Sequence, residues 1–274
     1  MASSLTVAAI RRSLSSPESW HIHVVNRLAS TNTTALERAA AGAPYQTVLI
    51  AESQTAGRGR NGRVWKSPRG TALTLSAILP PPRNPRHLSW MTLAAAVATA
   101  DAIENLSDVR CRFKWPNDVL IDGKKVAGIL TETRGGVSHP ASIVIGIGVN
   151  VNNRAAALPE GVRDLATSLL DVTGRTVNRN RLAAAILNQL GEWSRRLSGA
   201  SSERPILDVR RRWTVADATA GHYVSVLTPG GPIEGVDRGL NQAGHLVLEP
   251  RDGRRRVIRS GEVLLYRTVG PPLI

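Results

Sequence analysis

The chain is most constrained by a succession of short, β-branched segments that alternate with helical patterns and meet at polar loops. Segments with strand character lie within 20–28 and at 46–52, 71–79, 111–113, 119–121, 125–132 and 141–149. Helices are predicted from the N-cap residues at 30–32 through Ala41, and at 88–106, 179–197 and 204–213. Asp122-Gly123 supplies a hairpin turn. Strands that meet at polar loops indicate a binding or catalytic site.

The predicted secondary structure changes beyond Gly221, where short strands follow one another without helices. They are predicted at 223–227, 233–237, 245–249, 255–259 and 262–267, with turn residues such as Pro229-Gly-Gly between them. This pattern predicts a small β-barrel. We therefore expect three parts in the chain: an N-terminal helix or tail at 1–19, a main domain at 20–216 and a C-terminal domain at 217–270.

Composition narrows the class of protein. With 274 residues, of which 42% are apolar, the chain can bury a substantial core without disulfides. Cys111 is the only cysteine, so an internal disulfide is excluded, and no secretory signal pattern opens the sequence. The most apolar runs, at 93–100 and 143–151, are shorter than the roughly 20 residues that a membrane-spanning helix requires. We expect a cytoplasmic protein that does not associate with membranes.

The formal net charge of +14 raises nucleic acid as a partner, so a basic nucleic-acid-binding protein is an alternative interpretation. However, the 31 arginines are dispersed along the chain, and aromatic residues make up only 4% of it. This leaves little for groove or stacking recognition, and we expect no specific DNA binding. The four lysines, in contrast, all fall beside the motifs described next: Lys66, Lys114, Lys124 and Lys125.

The segment GRGRNGRVW at 57–65 is a basic, glycine-rich loop between two predicted strands. It matches the GxGxxG pattern formally, but Pro68 and Gly70 interrupt the helix that a dinucleotide site requires, and no acidic residue follows at the required distance. The loop can instead wrap an anion with backbone amides and guanidinium groups, while Trp65 can stack on an adenine. A solvated basic loop is the alternative from this segment alone.

A second motif, KWPNDV at 114–119, is followed by KKVAGIL at 124–130. Lysines on both sides of a turn can neutralise a carboxylate, a phosphate and the charge that develops between them. Asn117 and Asp118 offer oxygen ligands suited to Mg²⁺. A hairpin with charged flanks is the structural alternative. Two shorter motifs each allow a functional and a structural interpretation. GIGVN at 146–150 either permits close backbone approach to a ligand or only packs within the sheet. STN at 30–32 is either part of a site or a simple helix cap.

Taken in order, STN, QTAGRGRNGRVW, KWPNDV, KKVAGIL and GIGVN resemble the catalytic domain of biotin protein ligases. The resemblance spans about residues 20–150 and extends more loosely to the β-rich end of the chain. It implies an α/β catalytic domain of the class II aminoacyl-tRNA-synthetase-like type with a mixed sheet, followed by a small SH3-like β-barrel. Lipoate ligases of the same superfamily are the enzyme alternative, and the GRGRNGRVW loop favours biotin over lipoate.

The resemblance also implies roles for individual residues. Those implied to bind biotin are Ser30, Thr31, Asn32, Gln54, Arg58, Gly59, Arg60, Lys125, Gly128 and Gly146. Those implied to bind the nucleotide are Arg63, Trp65, Asn117, Asp118 and Asn150, with Asn117 and Asp118 as candidate metal ligands. Lys125 and Arg60 are the implied catalytic residues. Such cations act by stabilising charge that develops in the transition state.

The implied reaction has two steps and needs no covalent enzyme intermediate. The carboxylate of biotin attacks the α-phosphate of ATP, which gives biotinyl-5′-AMP. A lysine in the biotin carboxyl carrier domain of an acyl-CoA carboxylase then attacks the mixed anhydride and releases AMP. ATP with Mg²⁺ is the co-substrate, and no tightly bound cofactor is expected. Because residues 1–19 are too few for a winged helix-turn-helix, we expect a ligase without repressor function.

The wider loop from Thr55 to Arg69, which contains the segment at 57–65, is further expected to be mobile until an anion binds, because Arg58, Arg60 and Arg63 repel one another on a flexible glycine backbone. Once ordered over biotinyl-5′-AMP, it would shield the anhydride from water.

Overall fold

The first of two β-sheets has seven strands and provides the frame of the protein, whose computed structural model describes residues 4–135, 141–157, 160–199 and 203–267. The strands are β1 (His21–Val25), β2 (Thr47–Ala51), β3 (Leu73–Leu79), β4 (Arg112–Lys114), β5 (Asp118–Ile121), β6 (Lys124–Arg134) and β7 (Ser142–Val149). Their order in space is β1-β2-β3-β7-β6-β5-β4. The pair β1–β2 is parallel and the other five pairs are antiparallel, so the sheet is mixed, as the family resemblance implied.

Seven α-helices accompany the sheet within the described ranges. They are α1 (Val7–Arg11), α2 (Thr31–Ala40), α3 (Leu88–Ser107), α4 (Glu160–Arg163), α5 (Leu169–Thr173), α6 (Arg179–Gly199) and α7 (Arg204–Val215). The four longest were predicted with ends within two residues. The short helices α4 and α5 were not predicted, because one turn of helix shows no apolar periodicity. Within the described part of the chain, no helix is both long and apolar enough to cross a membrane.

The two faces of the sheet are covered by different helices. On β3, Leu75 and Leu79 point to one face, where they join the larger core with α3 and α6. Ile78 points to the opposite face, as the period of two in a strand requires, and there it meets Ala35 and Ala39 of α2. The N-terminal end of α2 and the same face of β6 and β7 border the cavity described below.

The C-terminal strands form a second, five-stranded sheet. They are β8 (Tyr223–Thr228), β9 (Gly231–Leu240), β10 (Leu246–Glu249), β11 (Arg256–Ile258) and β12 (Glu262–Arg267). Their order is β11-β10-β9-β8-β12, and every pair is antiparallel. All five strands were predicted from the alternation of short apolar segments and turns. Residues 1–3 and 268–270, which the sequence analysis assigned to the first and last parts of the chain, lie outside the described residues.

Strand β4 joins the two sheets. The ring of Phe113 stacks on Trp213 of α7 with centroids 4.7 Å apart. The backbone of Phe113 exchanges two hydrogen bonds with the segment after α7: its N–H donates to Ala216 and its carbonyl accepts from Ala218, both at 2.8 Å. The second sheet begins after this segment, and the first residues of its last strand in sequence, at 262–264, line the cavity described below.

A buried ion pair ties the N-terminal segment to the core. Arg179 of α6 contacts Glu52 at 2.7 Å, and Glu52 also accepts a hydrogen bond from the backbone N–H of Leu5 at 2.7 Å. Burial alone would raise the pKa of Glu52, but the hydrogen bonds and the positive charge of Arg179 outweigh it, so the pKa lies below its ordinary value. The residues after Glu52 lead directly into the loop at 57–65.

Candidate active site

A single cavity of about 690 Å³ collects the residues that the sequence assigned to a site. It opens between the N-terminal end of α2, the loop at 57–65, strands β5 to β7 and the first residues of β12. All fifteen assigned residues line it: Ser30, Thr31, Asn32, Gln54, Arg58, Gly59, Arg60, Arg63, Trp65, Asn117, Asp118, Lys125, Gly128, Gly146 and Asn150. Their individual roles stay predictions, which the contacts below make specific.

Buried polar side chains form one end of the cavity. Ser30 is the N-cap of α2, so Thr31 and Asn32 lie in its first turn. Gln54 accepts hydrogen bonds from the backbone N–H of Thr31 at 2.7 Å and from its hydroxyl at 3.1 Å. The hydroxyl of Ser76, which the sequence analysis missed, lies 2.7 Å from that of Thr31 and 2.5 Å from Oδ1 of Asn32. The STN motif therefore both caps a helix and lines the cavity.

The floor of the cavity requires glycine at two strand positions. At Gly146 of β7, an added Cβ would overlap the Oδ1 of Asn32. At Gly128 of β6, an added Cβ would lie 2.9 Å from Nζ of Lys125. Both separations are too short for real side chains, so any other residue would push a lining group away. These glycines make room for the side chains that form the site.

Trp65 lies inside the cavity although it belongs to a polar loop. Its indole rests on Gly148 of β7, where an added Cβ would overlap the ring, and Nζ of Lys125 is 5.6 Å from the ring centroid. Among the residues that the structure describes, none accepts a hydrogen bond from the buried Nε1 of Trp65. The indole thus offers an aromatic face and an unused donor to a ligand in the cavity.

Asp118 of β5 joins two lysines at the centre of the cavity. Its Oδ1 lies 2.5 Å from Nζ of Lys125, and its Oδ2 lies 3.1 Å from Nζ of Lys114. Burial alone would raise the pKa of Asp118, but the positive charges of Lys125 and Lys114 outweigh it and lower the pKa below its ordinary value. Lys114 also donates a hydrogen bond to the carbonyl of Val263 at 3.3 Å. Two ammonium groups and one carboxylate leave a net positive charge, which suits an anionic reactant.

Each of the three arginines of the loop at 57–65 contacts an oxygen of the protein. Arg58 forms an ion pair with the carboxylate of Glu132 at 2.6 Å, and Arg63 forms one with the carboxylate of Glu262. Arg60 donates a hydrogen bond to the carbonyl of Gly261 at 3.1 Å. The sequence analysis expected these arginines to repel one another until an anion binds. That expectation was wrong about the charges, because carboxylates of β6 and β12 already offset them.

Two of these partners show what the sequence could and could not reveal. Glu132 was missed, although the alternation of β6 places it on the same face as Gly128 and Leu130. Glu262 carries no such signal, because its approach to the loop depends on how the second sheet docks. The negative charges of Glu262 and Asp118 also act on Arg60, where they oppose the lowering of its pKa by burial.

Two asparagines assigned to the nucleotide also hold the walls together. Asn117 donates its side-chain amide to the carbonyl of Ile129 at 2.7 Å, across β5 and β6. Asn150 donates to the carbonyl of Thr167 at 3.0 Å and so ties the end of β7 to the segment after α4. Replacing either one would therefore disturb the shape of the cavity as well as any contact with a ligand.

The predicted Mg²⁺ ligands do not form a metal site by themselves. Both carboxylate oxygens of Asp118 face ammonium groups, and Asn117 supplies one amide. Over residues 4–135, 141–157, 160–199 and 203–267, no group of three His, Cys, Asp or Glu side chains could hold a metal ion. Protein sites for Mg²⁺ often supply one or two ligands and rely on substrate phosphates for others. The assignment of Asn117 and Asp118 stays a prediction, and no step proposed below passes through the metal.

Known proteins are similar to this chain over the part that carries these motifs. The sequence profile of the biotin/lipoate A/B protein ligase family matches residues 24–150, which include every residue assigned to the site. A biotin–acetyl-CoA-carboxylase ligase of Mycobacterium tuberculosis is 38% identical over 254 residues, which cover 90% of this chain and 89% of the relative. A bifunctional ligase/repressor of Bacillus subtilis is 35% identical over 237 residues, which cover 86% of this chain and 72% of the relative.

The fold has the same relatives. A biotin protein ligase from Aquifex aeolicus, solved in complex with biotin and ATP, matches with a TM-score of 0.76 at 28% identity. The match covers 91% of this chain and 99% of the other. A likeness of that extent includes the second sheet as well as the sheet that carries the motifs.

Proposed function

The chain belongs to the biotin protein ligase family, and we propose that its cavity forms biotinyl-5′-AMP from biotin and ATP and then transfers the biotinyl group to a lysine of a carrier protein. The observation that carries this proposal is the convergence of five separate sequence motifs on one cavity, with a lysine–carboxylate–lysine cluster at its centre.

Biotin occupies the polar end of the cavity in this proposal. Its ureido group has both donors and acceptors, and the array of hydroxyls and amides at that end offers both in fixed positions. The residues assigned to this contact are Ser30, Thr31, Asn32 and Gln54. Gly128 and Gly146 form the floor beneath the bicyclic ring in this proposal, where they make room for the side chains of Lys125 and Asn32. The loop residues Arg58, Gly59 and Arg60 cover the ring.

In the first step, a carboxylate oxygen of biotin bonds to the α-phosphorus of ATP, and the bond to the pyrophosphate leaving group breaks. Negative charge increases on the α-phosphate as this happens. Lys125 is placed to stabilise that charge, because Asp118 holds its ammonium group at the centre of the cavity. Arg60 is the second catalytic residue in the proposal, since its guanidinium lies within the electrostatic influence of the same carboxylate.

The nucleotide lies toward the loop and β12. Trp65 supplies an aromatic surface for adenine stacking, and Arg63, which also lines the cavity, supplies a cation for the phosphates. Asn117, Asp118 and Asn150 are the other residues that we assign to ATP, with Mg²⁺ carried by its phosphates. Bound Mg²⁺ would neutralise phosphate charge, while these five residues orient the nucleotide.

In the second step, the amine of a carrier lysine attacks the acyl carbon of the mixed anhydride. An amide forms, the acyl–oxygen bond breaks, AMP leaves with the electron pair, and the amine loses its proton. Biotinyl-5′-AMP must be protected from water until then. The loop at 57–65 lies over the cavity and is held by residues of β6 and β12, so it is positioned to exclude water.

Membership of the family also supports our assignment of a fold type to each sheet and of a carrier protein. We assign the first sheet and its helices to the class II aminoacyl-tRNA-synthetase-like type. We assign the five short antiparallel strands of the second sheet to an SH3-like barrel. The carrier is proposed to be the biotin carboxyl carrier domain of an acyl-CoA carboxylase, because a close relative carries acetyl-CoA-carboxylase in its name.

The direct test is biotin-dependent release of pyrophosphate from ATP and Mg²⁺, followed by transfer to a purified carrier domain. We expect release with biotin and much less with lipoate. Release with lipoate alone would move the chain to the lipoate branch of the family. In parallel, any affinity for DNA should be independent of sequence and lost at physiological salt, because it would come from diffuse charge alone. A sequence-specific footprint at that salt would contradict the proposal that the chain acts only as a ligase.

A further inference from the structure

A carboxylate of β6 joins the polar end of the cavity to the loop that covers it. Oε2 of Glu132 accepts a hydrogen bond from Nδ2 of Asn32 at 2.9 Å, and Oε1 of the same carboxylate accepts one from Arg58 at 2.6 Å. Glu132 thus contacts two residues that are assigned to biotin, although it lies outside the sequence motifs that predicted the site.

The side-chain amide of Asn32 has only one orientation that its neighbours allow. One side of the amide faces Oε2 of Glu132 and the backbone carbonyl of Leu130, which is 3.2 Å away. A carboxylate and a carbonyl can only accept hydrogen bonds, so the amide nitrogen must be the atom that faces them. Both hydrogens of Nδ2 are used in these two contacts. The amide oxygen, Oδ1, is directed to the other side, where the hydroxyl of Ser76 donates to it at 2.5 Å.

This amide oxygen lies over the floor of the cavity. Strand pairing places Leu130 opposite Gly146, and a Cβ added at Gly146 would overlap Oδ1 of Asn32. An amide oxygen has two lone pairs, and the hydroxyl of Ser76 occupies one of them. The second lone pair can accept a hydrogen bond from a ligand. Asn32 therefore presents an acceptor, rather than a donor, to a ligand above Gly146.

Only a carboxylate at position 132 can satisfy both of its neighbours. Two donors converge on Glu132, and the carboxylate supplies one oxygen to each of them. A glutamine at this position has a single acceptor oxygen and an amide nitrogen that donates. Hydrogen bonds from charged donors are the stronger ones, so the glutamine oxygen would face the guanidinium of Arg58. Its nitrogen would then face Nδ2 of Asn32, and the contact that orients the Asn32 amide would be lost.

We propose that Glu132 is a positioning residue for biotin, because its carboxylate holds the amide of Asn32 so that Oδ1 accepts a hydrogen bond from a ureido N–H. Glu132 stands outside the described residues that line this cavity, so it acts through Asn32. A site that hydrogen-bonds an N–H group strongly rejects an analogue that lacks it, because its buried acceptor is left unpaired. Asn32 is such a buried residue, at 3% exposed. This inference rests on the proposed function, since it names what orients a residue of the same site.

The test uses biotin and two analogues in which an oxygen atom replaces one or the other ureido N–H. The replacement turns a donor into an acceptor and changes the size of the ring little. Pyrophosphate release gives kcat/KM for each compound with the wild type, Glu132→Gln and Glu262→Gln. Glu262→Gln is the matched control, because it removes the ion pair with Arg63 of the same loop and leaves the contact between Asn32 and Glu132 in place.

We expect the wild type to prefer biotin over at least one analogue by about a hundredfold or more in kcat/KM. In Glu132→Gln this preference should fall by about tenfold or more, through a higher KM for biotin, with kcat within about threefold of the wild type. Glu262→Gln should change kcat/KM for all three compounds by the same factor, so its preference should stay. Thermal unfolding of each variant verifies that the chain is folded.

Three results would overturn the inference. The first is an unchanged preference in Glu132→Gln, which would mean that Glu132 has a structural role and affects all three compounds alike. The second is an equal loss of preference in Glu262→Gln. The third needs no variant: equal kcat/KM of the wild type for biotin and both analogues would show that Oδ1 of Asn32 does not read a ureido N–H. Failure of the proposed function looks different, because the wild type would then release no pyrophosphate with biotin.

Discussion

Two buried carboxylates, Asp217 in the segment that links the two sheets and Asp237 in β9, share one hydroxyl group. Oγ1 of Thr219 lies 2.7 Å from Oδ2 of Asp237 and 3.2 Å from Oδ1 of Asp217. One hydroxyl has one proton, so it cannot donate to both carboxylates. Burial first, and the negative charge of Asp217 second, raise the pKa of Asp237 to about 6; the hydrogen bonds from Thr219 and Gly239, and then His222, act in the opposite direction.

This raised pKa makes stability depend on pH. In the unfolded chain Asp237 loses its proton near pH 3.8, whereas in the folded protein it keeps the proton until about pH 6. The stability that protonated Asp237 contributes is therefore fully present below its unfolded pKa of 3.8, and it is lost as the pH rises through its folded pKa of about 6. Converted at about 1.4 kcal/mol for each pH unit, the difference amounts to about 3 kcal/mol of lost stability above pH 6.

Asp237→Asn should remove this loss. The asparagine keeps an oxygen for the N–H of Gly239, which donates to Asp237 at 2.7 Å, and gains an N–H that can donate to Thr219. We expect the variant to exceed the wild type in the free energy of unfolding by up to about 3 kcal/mol at pH 8, and by less at pH 5. Urea unfolding at both pH values measures this, with the exposed Asp164→Asn as control. A variant that is less stable at pH 8, or that keeps the wild-type dependence on pH, would refute the reasoning.

Three further predictions concern the cavity. Lys125→Ala should slow pyrophosphate release about a hundredfold, or about 3 kcal/mol, because a charge contact made in the transition state is lost. The exposed neighbour variant Lys124→Ala should be much milder, and near-normal turnover of Lys125→Ala would exclude the catalytic assignment. Gly146→Ala should abolish biotin binding measurable by calorimetry, because the added Cβ displaces the side chain of Asn32 from the cavity. The control Gly199→Ala adds a Cβ in open space, so this variant should bind biotin normally. Glu132→Gln removes the partly exposed ion pair with Arg58, which is worth about 0.2–1 kcal/mol. Amide hydrogen exchange at 57–65 should therefore become up to about fivefold faster. Unchanged exchange would show that Glu132 does not hold the loop.

The site could be predicted from the sequence because its residues lie in short motifs at the ends of strands and in loops. Ser30 illustrates this: N-cap chemistry fixed the start of α2, and the start of α2 places Thr31 and Asn32 in the cavity. The long helices and most strands followed from apolar periodicity in the same local way. Family resemblance added what local patterns do not contain, which is the mixed order of the strands.

The parts that escaped prediction depend on contacts between distant segments. Ser76 lies in an apolar strand, and only the tertiary structure shows that its hydroxyl meets the first turn of α2. Asp217 and Asp237 are separated by 20 positions, and nothing in either local sequence indicates that they share Thr219. The expected repulsion among the loop arginines failed for the same reason, because Glu132 and Glu262 reach them from other strands.

The contacts around the cavity differ in strength according to their exposure, and this difference separates what can move from what stays fixed. The side chains of Arg58 and Arg63 are 44% and 60% exposed, so their ion pairs are of the surface type, worth about 0.2–1 kcal/mol each. A phosphate or carboxylate that enters the cavity can replace those partners at little cost. Asp118, in contrast, is buried, while the side chains of Lys125 and Lys114 are partly exposed, and loss of either lysine would leave a buried charge that is poorly compensated. The loop can therefore exchange partners over the ligand while the lysine–carboxylate–lysine cluster keeps its geometry, as a preorganised centre requires.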